Sequence, residues 1–119
     1  MIASTPTPPY YAVIFTSVRT EGDNGYNEMA EQMDELAKQQ PGYLGIESAR
    51  NEIGITVSDW KDLESITAWK KQTDHLLAQQ RGIRDWYSVY KVRVCKVERE
   101  YGFKKQVAQD NSHSSTTVG

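Results

Sequence analysis

Only two histidines occur in the chain, His75 and His113, and His75 is the residue best suited to moving a proton. A neutral imidazole accepts a proton near physiological pH, or ligates a metal or haem. His75 follows Thr73-Asp74, a pair that reads as the start of a helical piece running through Leu76, Leu77 and Ala78 to a stop at Gly82. In the first turn of such a piece the helix dipole disfavours the imidazolium and keeps the ring neutral. The bland alternative for His75 is an exposed or capping position without chemistry. Near it in sequence stand Trp60, Trp69, Trp86, Tyr87 and Tyr90. Rings of this kind build cores first, but a flat ligand also needs them as walls.

Other chemistry is poorly represented. Cys95 is the only cysteine, so no internal disulfide forms. Its place within a strand-like run reads as a small apolar filler, and a lone thiol suits a reducing compartment. With one cysteine, two histidines and no carboxylates clustered at ligand spacing, no metal site is expected. No GxGxxG, GxxxxGK or GxSxG motif occurs, which sets aside the nucleotide loops and hydrolase elbow built on them. Glu28, Glu31, Asp34 and Glu35 fall on the solvent side of a helical stripe.

The 119 residues suffice for one domain. A net charge of −2 without a basic stripe argues against nucleic acid. No apolar run is long enough for a membrane span. The opening MIASTPTPPYY has neither a basic nor an apolar signal region, so a cytoplasmic location is the expectation. Residues 1–9 form a Pro- and Thr-rich leader expected to be flexible. Residues 10–103 form the structured body, and the polar stretch 104–119 reads as a flexible tail.

The hydrophobic period positions the elements. YYAVIFTSVR at 10–19 is aromatic and β-branched, a strand. Tyr26, Met29, Ala30, Met33, Leu36 and Ala37 form a helical stripe that ends before Pro41-Gly42. Residues 43–50 and 53–60 read as short strands joined by a tight hairpin at Asn51-Glu52. Asp62 is placed to cap a helix carrying Leu63, Ile66 and Trp69. Trp86 to Tyr101 reads as a long closing strand. The order β-α-β-β-α-β predicts a ferredoxin-like α+β fold, an antiparallel sheet with both helices on one face. The first strand is apolar on both parities, Tyr11, Val13 and Phe15 against Ala12, Ile14 and Val18. A sheet with one wet face alternates instead. A second copy packed sheet to sheet, a homodimer closing a barrel, is therefore expected.

PGYLGIES at 41–48, GITVSDWKDLESITAWK at 54–70 and WYSVYKVRVCKVEREYGF at 86–103 together carry a resemblance. They resemble the antibiotic biosynthesis monooxygenase domain family, in particular its small stand-alone bacterial members, over essentially the whole body. The distinctive combination is a strand ending in Trp60, a short link, and a helix carrying Trp69. The resemblance implies a dimeric α+β barrel with a pocket between helices and sheet. Some members oxidise phenols or quinols with molecular oxygen and neither metal nor flavin; others bind and break haem. For this chain it implies His75 as base and Trp69 as aromatic wall, with Met33, Leu76 and Tyr87 as lining around a small aromatic ligand. The haem-degrading branch joins an asparagine on the first strand to a tryptophan and a histidine nearly three turns beyond it. Here that strand has no asparagine, Gln79 stands near the histidine position, and His75 comes a turn early. No cofactor is expected: these departures weigh against haem degradation, and a haem-binding or haem-degrading protein stands as the second, less favoured alternative. A non-catalytic dimeric ligand-binding or stress-related module is the first alternative.

Overall fold

A computed structural model describes residues 2–80, 83–105 and 115–117, with side chains from 2 to 77 and 85 to 105. Strand β1 is Tyr10–Arg19, the span its composition demands. The Asp23 carboxylate then accepts hydrogen bonds from the backbone N–H groups of Gly25 and Asn27, at 3.0 and 3.2 Å, closing the turn into helix α1, Tyr26–Lys38. Met29 and Ala37 are its buried contacts with the rest of the molecule. Strands β2, Tyr43–Arg50, and β3, Gly54–Trp60, follow as a hairpin.

Helix α2 runs from Leu63 to Gln80. Asp62 caps it, its Oδ1 accepting from the Ser65 N–H at 2.8 Å and from the Ser65 hydroxyl at 2.7 Å. Gly42 makes room for this cap. Its φ is +84°, and a Cβ there would run into the Ser65 side chain. A short helix α3, Ile83–Trp86, leads into β4, Tyr87–Val97. Trp86 was expected to open the strand. Instead it is buried, and its indole N–H donates to the Asn24 carbonyl at 2.9 Å, so it anchors the crossover beneath the β1–α1 turn. Strand β5, Gly102–Lys104, pairs with β6, Ser115–Thr117. Gly82 and His113 lie outside the described residues, as does the side chain of Gln79.

The four main strands form an antiparallel sheet in the order β2-β3-β1-β4, the ferredoxin-like arrangement. Register places Tyr11, Val13, Phe15 and Ser17 on one face with Trp60, Ser58, Thr56 and Gly54, and with Lys96, Val94, Val92 and Tyr90. Both helices meet this face, α2 through Trp69 on Trp60 and α1 through Tyr26 on Tyr87. The second face carries Ala12, Ile14, Val57, Asp59 and Cys95. One end of it is covered by the amino-terminal segment: the Thr5 hydroxyl donates to Glu100 at 2.9 Å and accepts from the Tyr10 hydroxyl at 3.2 Å. Elsewhere on that face Ile55 is exposed and Ile14 and Val57 are half-buried. No helix among the described residues is long and apolar enough to cross a membrane.

Candidate functional site

Two aromatic groups occupy the space between helices and sheet. The first centres on Trp60, 0% exposed at the end of β3. Its indole N–H donates to the Ser58 hydroxyl at 2.9 Å. Trp69 stacks on it at 5.7 Å between ring centroids, and Tyr43 meets it edge-on at 5.8 Å. Trp69 is delivered by a half-buried stripe on α2, Ser65, Ile66, Trp69, Thr73, Leu76 and Leu77. Those spacings of three and four describe one helix face, with Leu76 two turns beyond Trp69.

That stripe runs unbroken through Thr73-Asp74, so the expected helix restart does not occur. The Thr73 hydroxyl bonds back to the Lys70 carbonyl at 2.9 Å, and Asp74 pairs with the Lys70 ammonium at 2.8 Å. Both residues that read as a new cap are spent on the previous turn. His75 therefore sits well inside α2, away from the positive end of the dipole, and its side chain is exposed, off the stripe. Met33 is half-buried on α1, one turn after the buried Met29 and one before the buried Ala37.

The second group is built on Phe15. Tyr90 stacks against it at 5.4 Å and Tyr87 meets it edge-on at 5.4 Å; Tyr26 meets Tyr87 at 5.7 Å, nearly perpendicular. Tyr87 heads β4 opposite Arg19. Burial raises its hydroxyl well above the ordinary tyrosine value, and Tyr26, hydrogen-bonded to it, adds to the rise. Tyr87 is thus a neutral phenol at any physiological pH, a donor rather than a base. Along the outer edge Tyr90, Val92 and Val94 stay 45%, 48% and 51% exposed, an apolar strip beside the rings.

Two guanidiniums flank this group. The Arg19 Cζ lies 3.7 Å from the Tyr26 ring centroid, and its Nη2 donates to the carbonyls of Gly22 and Asp23, both at 3.2 Å. The Arg50 Cζ lies 5.8 Å from the same ring. Its Nη2 bonds the Ser17 hydroxyl and its Nη1 the Ser17 carbonyl at 3.4 Å. Neither arginine figured among the residues picked out from the sequence. The available signal was Ser17, a small polar residue that follows the apolar run Ala12 to Phe15 and is 1% exposed in the fold.

Of the five expected site residues, Trp69 and Leu76 share a helix face, Tyr87 belongs to the Phe15 group, Met33 stands on the other helix, and His75 is apart. Among the described residues no three His, Cys, Asp or Glu side chains gather as a metal-ligand set. Beyond the sheet, Asp59 is buried on the second face. Its carboxyl is raised to about 6 by that burial, and further by Glu47 and Glu100.

A family model described as antibiotic biosynthesis monooxygenase matches residues 9–81. The chain is 49% identical over 106 residues to the uncharacterized protein YqjZ of Bacillus subtilis (strain 168), covering 87% of this chain and 93% of that protein. Among solved structures, SnoaB of Streptomyces nogalater, a cofactor-independent oxygenase, superposes with a TM-score of 0.64 at 10% identity, over 78% of this chain and 97% of that one. PA3566 of Pseudomonas aeruginosa superposes with a TM-score of 0.58 at 15% identity, over 80% and 98%. At those identities the structural likeness speaks to the fold.

Proposed function

The chain belongs to the antibiotic biosynthesis monooxygenase family, and on that footing we propose that it is a cofactor-free monooxygenase for a small phenolic or quinol-type aromatic. The observation that carries this reading is the Phe15–Tyr87–Tyr90–Tyr26 group with its half-exposed apolar edge on β4. The likeness of the fold to a cofactor-independent oxygenase supports it.

A deprotonated phenol or quinol donates electrons to molecular oxygen directly. One oxygen atom enters the substrate and the other leaves as water, as when a ring CH2 becomes C=O. The protein's tasks are to exclude water, hold the ring, and favour the anion. Tyr87, Trp69, Leu76 and Met33 supply walls in this proposal. Exposed His75 cannot shield a proton transfer from bulk water, so the base role is not assigned to it. The uncovered part of the second sheet face is assigned to a second copy of the chain, giving a homodimer. Light scattering should then report about twice the 13.6 kDa chain mass. Unpaired Cys95 suits a cytoplasmic setting.

Oxygen uptake measured over a panel of hydroxynaphthalenes and anthrones tests the activity, beside a haem titration followed in the Soret band. Uptake without added metal or flavin is the expected result. Silence across the panel would move the reading to a non-catalytic binding module, and a Soret shift would favour haem.

A further inference from the structure

Arg19 and Arg50 are positive charges with no carboxylate partner among the described residues. The ion pairs formed there are those of Lys38 with Asp34 and Glu35, and of Lys70 with Asp74. The Arg19 Nε is buried without a hydrogen-bond acceptor. Buried donors are nearly always satisfied, so an orphan of this kind calls for a missing partner.

Arg50 is held in place by more than chance contact. Ser17, almost fully buried, binds its guanidinium through both hydroxyl and carbonyl. Gly54, directly across from it in the β2–β3 ladder, leaves the space in which the guanidinium lies; a Cβ there would collide with Arg50 Cζ and Nη2. Arg19 is pinned by two carbonyls over the Tyr26 ring. Both charges are felt at the Tyr87 hydroxyl, whose ionisation they favour against the effect of burial. A fixed positive potential thus reaches one end of the aromatic group, at the half-buried Tyr87, and a charge held in place there needs no reorganisation to meet an anion.

We propose that Arg19 and Arg50, together with the Tyr26–Tyr87 hydroxyl pair, form an oxyanion subsite that binds an aromatic phenol as its phenolate. The phenol O–H bond breaks, its proton passes to water, and the anion stays beside the guanidiniums. No side chain has to serve as the base. This subsite lies within the pocket reading given above and deepens it. It selects acidic phenols and hydroxyquinones over neutral arenes of the same shape.

The test uses 4-nitrophenol, whose phenolate absorbs visible light while the phenol does not, and nitrobenzene as the neutral isostere. Both are titrated against the full-length protein, and the bound nitrophenol is then titrated with acid. The expected result is a bound pKa lower than the free one by about a unit or more, equivalent to roughly tenfold tighter binding of the anion. Arg19→Met and Arg50→Met should each return it towards the free value, with nitrobenzene affinity unchanged, while Arg50→Lys keeps most of the shift. If nitrobenzene binds but the bound nitrophenol ionises as it does in water, the subsite is wrong and the pocket stands. If neither probe binds, both fall. The wild-type titration decides even where an arginine variant does not fold.

Discussion

The indole of Trp69 lies stacked on that of Trp60, with centroids 5.7 Å apart and planes 27° from parallel. This pair is the main joint between α2 and the sheet. Trp60→Ala should cost about 3–5 kcal/mol, since it removes a fully buried ring and leaves the Ser58 hydroxyl without its donor. Trp69→Phe keeps a ring against Trp60 and should cost about 1–2 kcal/mol. Urea denaturation of both variants, with unchanged m-values, checks the order. Equal costs would mean that the stack is not the joint.

His75→Ala should leave stability within about 0.5 kcal/mol of wild type, because the side chain is exposed on a continuous helix. Turnover of any phenol that the wild type oxidises should change less than about threefold, far from the roughly hundredfold loss that follows removal of a general base. A loss on the larger scale would restore the histidine to the chemistry.

Gly42→Ala tests the seat of the α2 cap. The substitution forces an L side chain into a φ of +84° and drives its Cβ into Ser65, the residue that Asp62 holds. A loss of about 2–4 kcal/mol is expected, read as a fall in Tm. Gly25→Ala makes a useful control, with a similar φ of +82° and open space around its Cβ, and should cost less.

Asp59 gives stability a pH dependence of a particular sign. Its carboxyl is raised from 3.8 to about 6 in the folded chain, by burial first and then by Glu47 and Glu100. The folded state therefore holds this proton more tightly than the unfolded state, and the group's penalty is absent below about pH 4 and complete above about pH 6. Asp59→Asn should stabilise the protein above pH 6 by at most about 3 kcal/mol, and the gain should vanish near pH 4. Paired denaturation curves at the two pH values measure the difference. A gain independent of pH would mean that the carboxyl is not the cause.

Strand β1 and the β2–β3 hairpin were legible because their apolar, β-branched runs end in strong breakers, Gly22 and Pro41-Gly42 among them. Helix α1 was legible from its stripe. Residues at 73–75 misled because Thr and Asp are cap formers when judged locally. The Leu76–Leu77 pair continues the Ile66–Trp69 stripe, and packing against the sheet outweighed the local preference. Trp86 misled for a related reason: its ring suits a strand by composition, but a hydrogen bond to Asn24, far away in sequence, fixed it in a helical turn. The arginine pair has no signature in the sequence. Arg19 and Arg50 come together through the packing of β1, β2 and α1, and no spacing along the chain records that.

The seating of Arg50 over Gly54 also has an evolutionary side. The two positions face each other across the ladder, and the space one occupies is the space the other leaves vacant. A side chain at 54 is harmful here and would be harmless in a relative whose residue 50 is short, so the effect of the same substitution reverses with its background. Drift at either position is thus tethered to the other. A lineage that abandoned the arginine would be free to fill the gap, and could not easily return once it had.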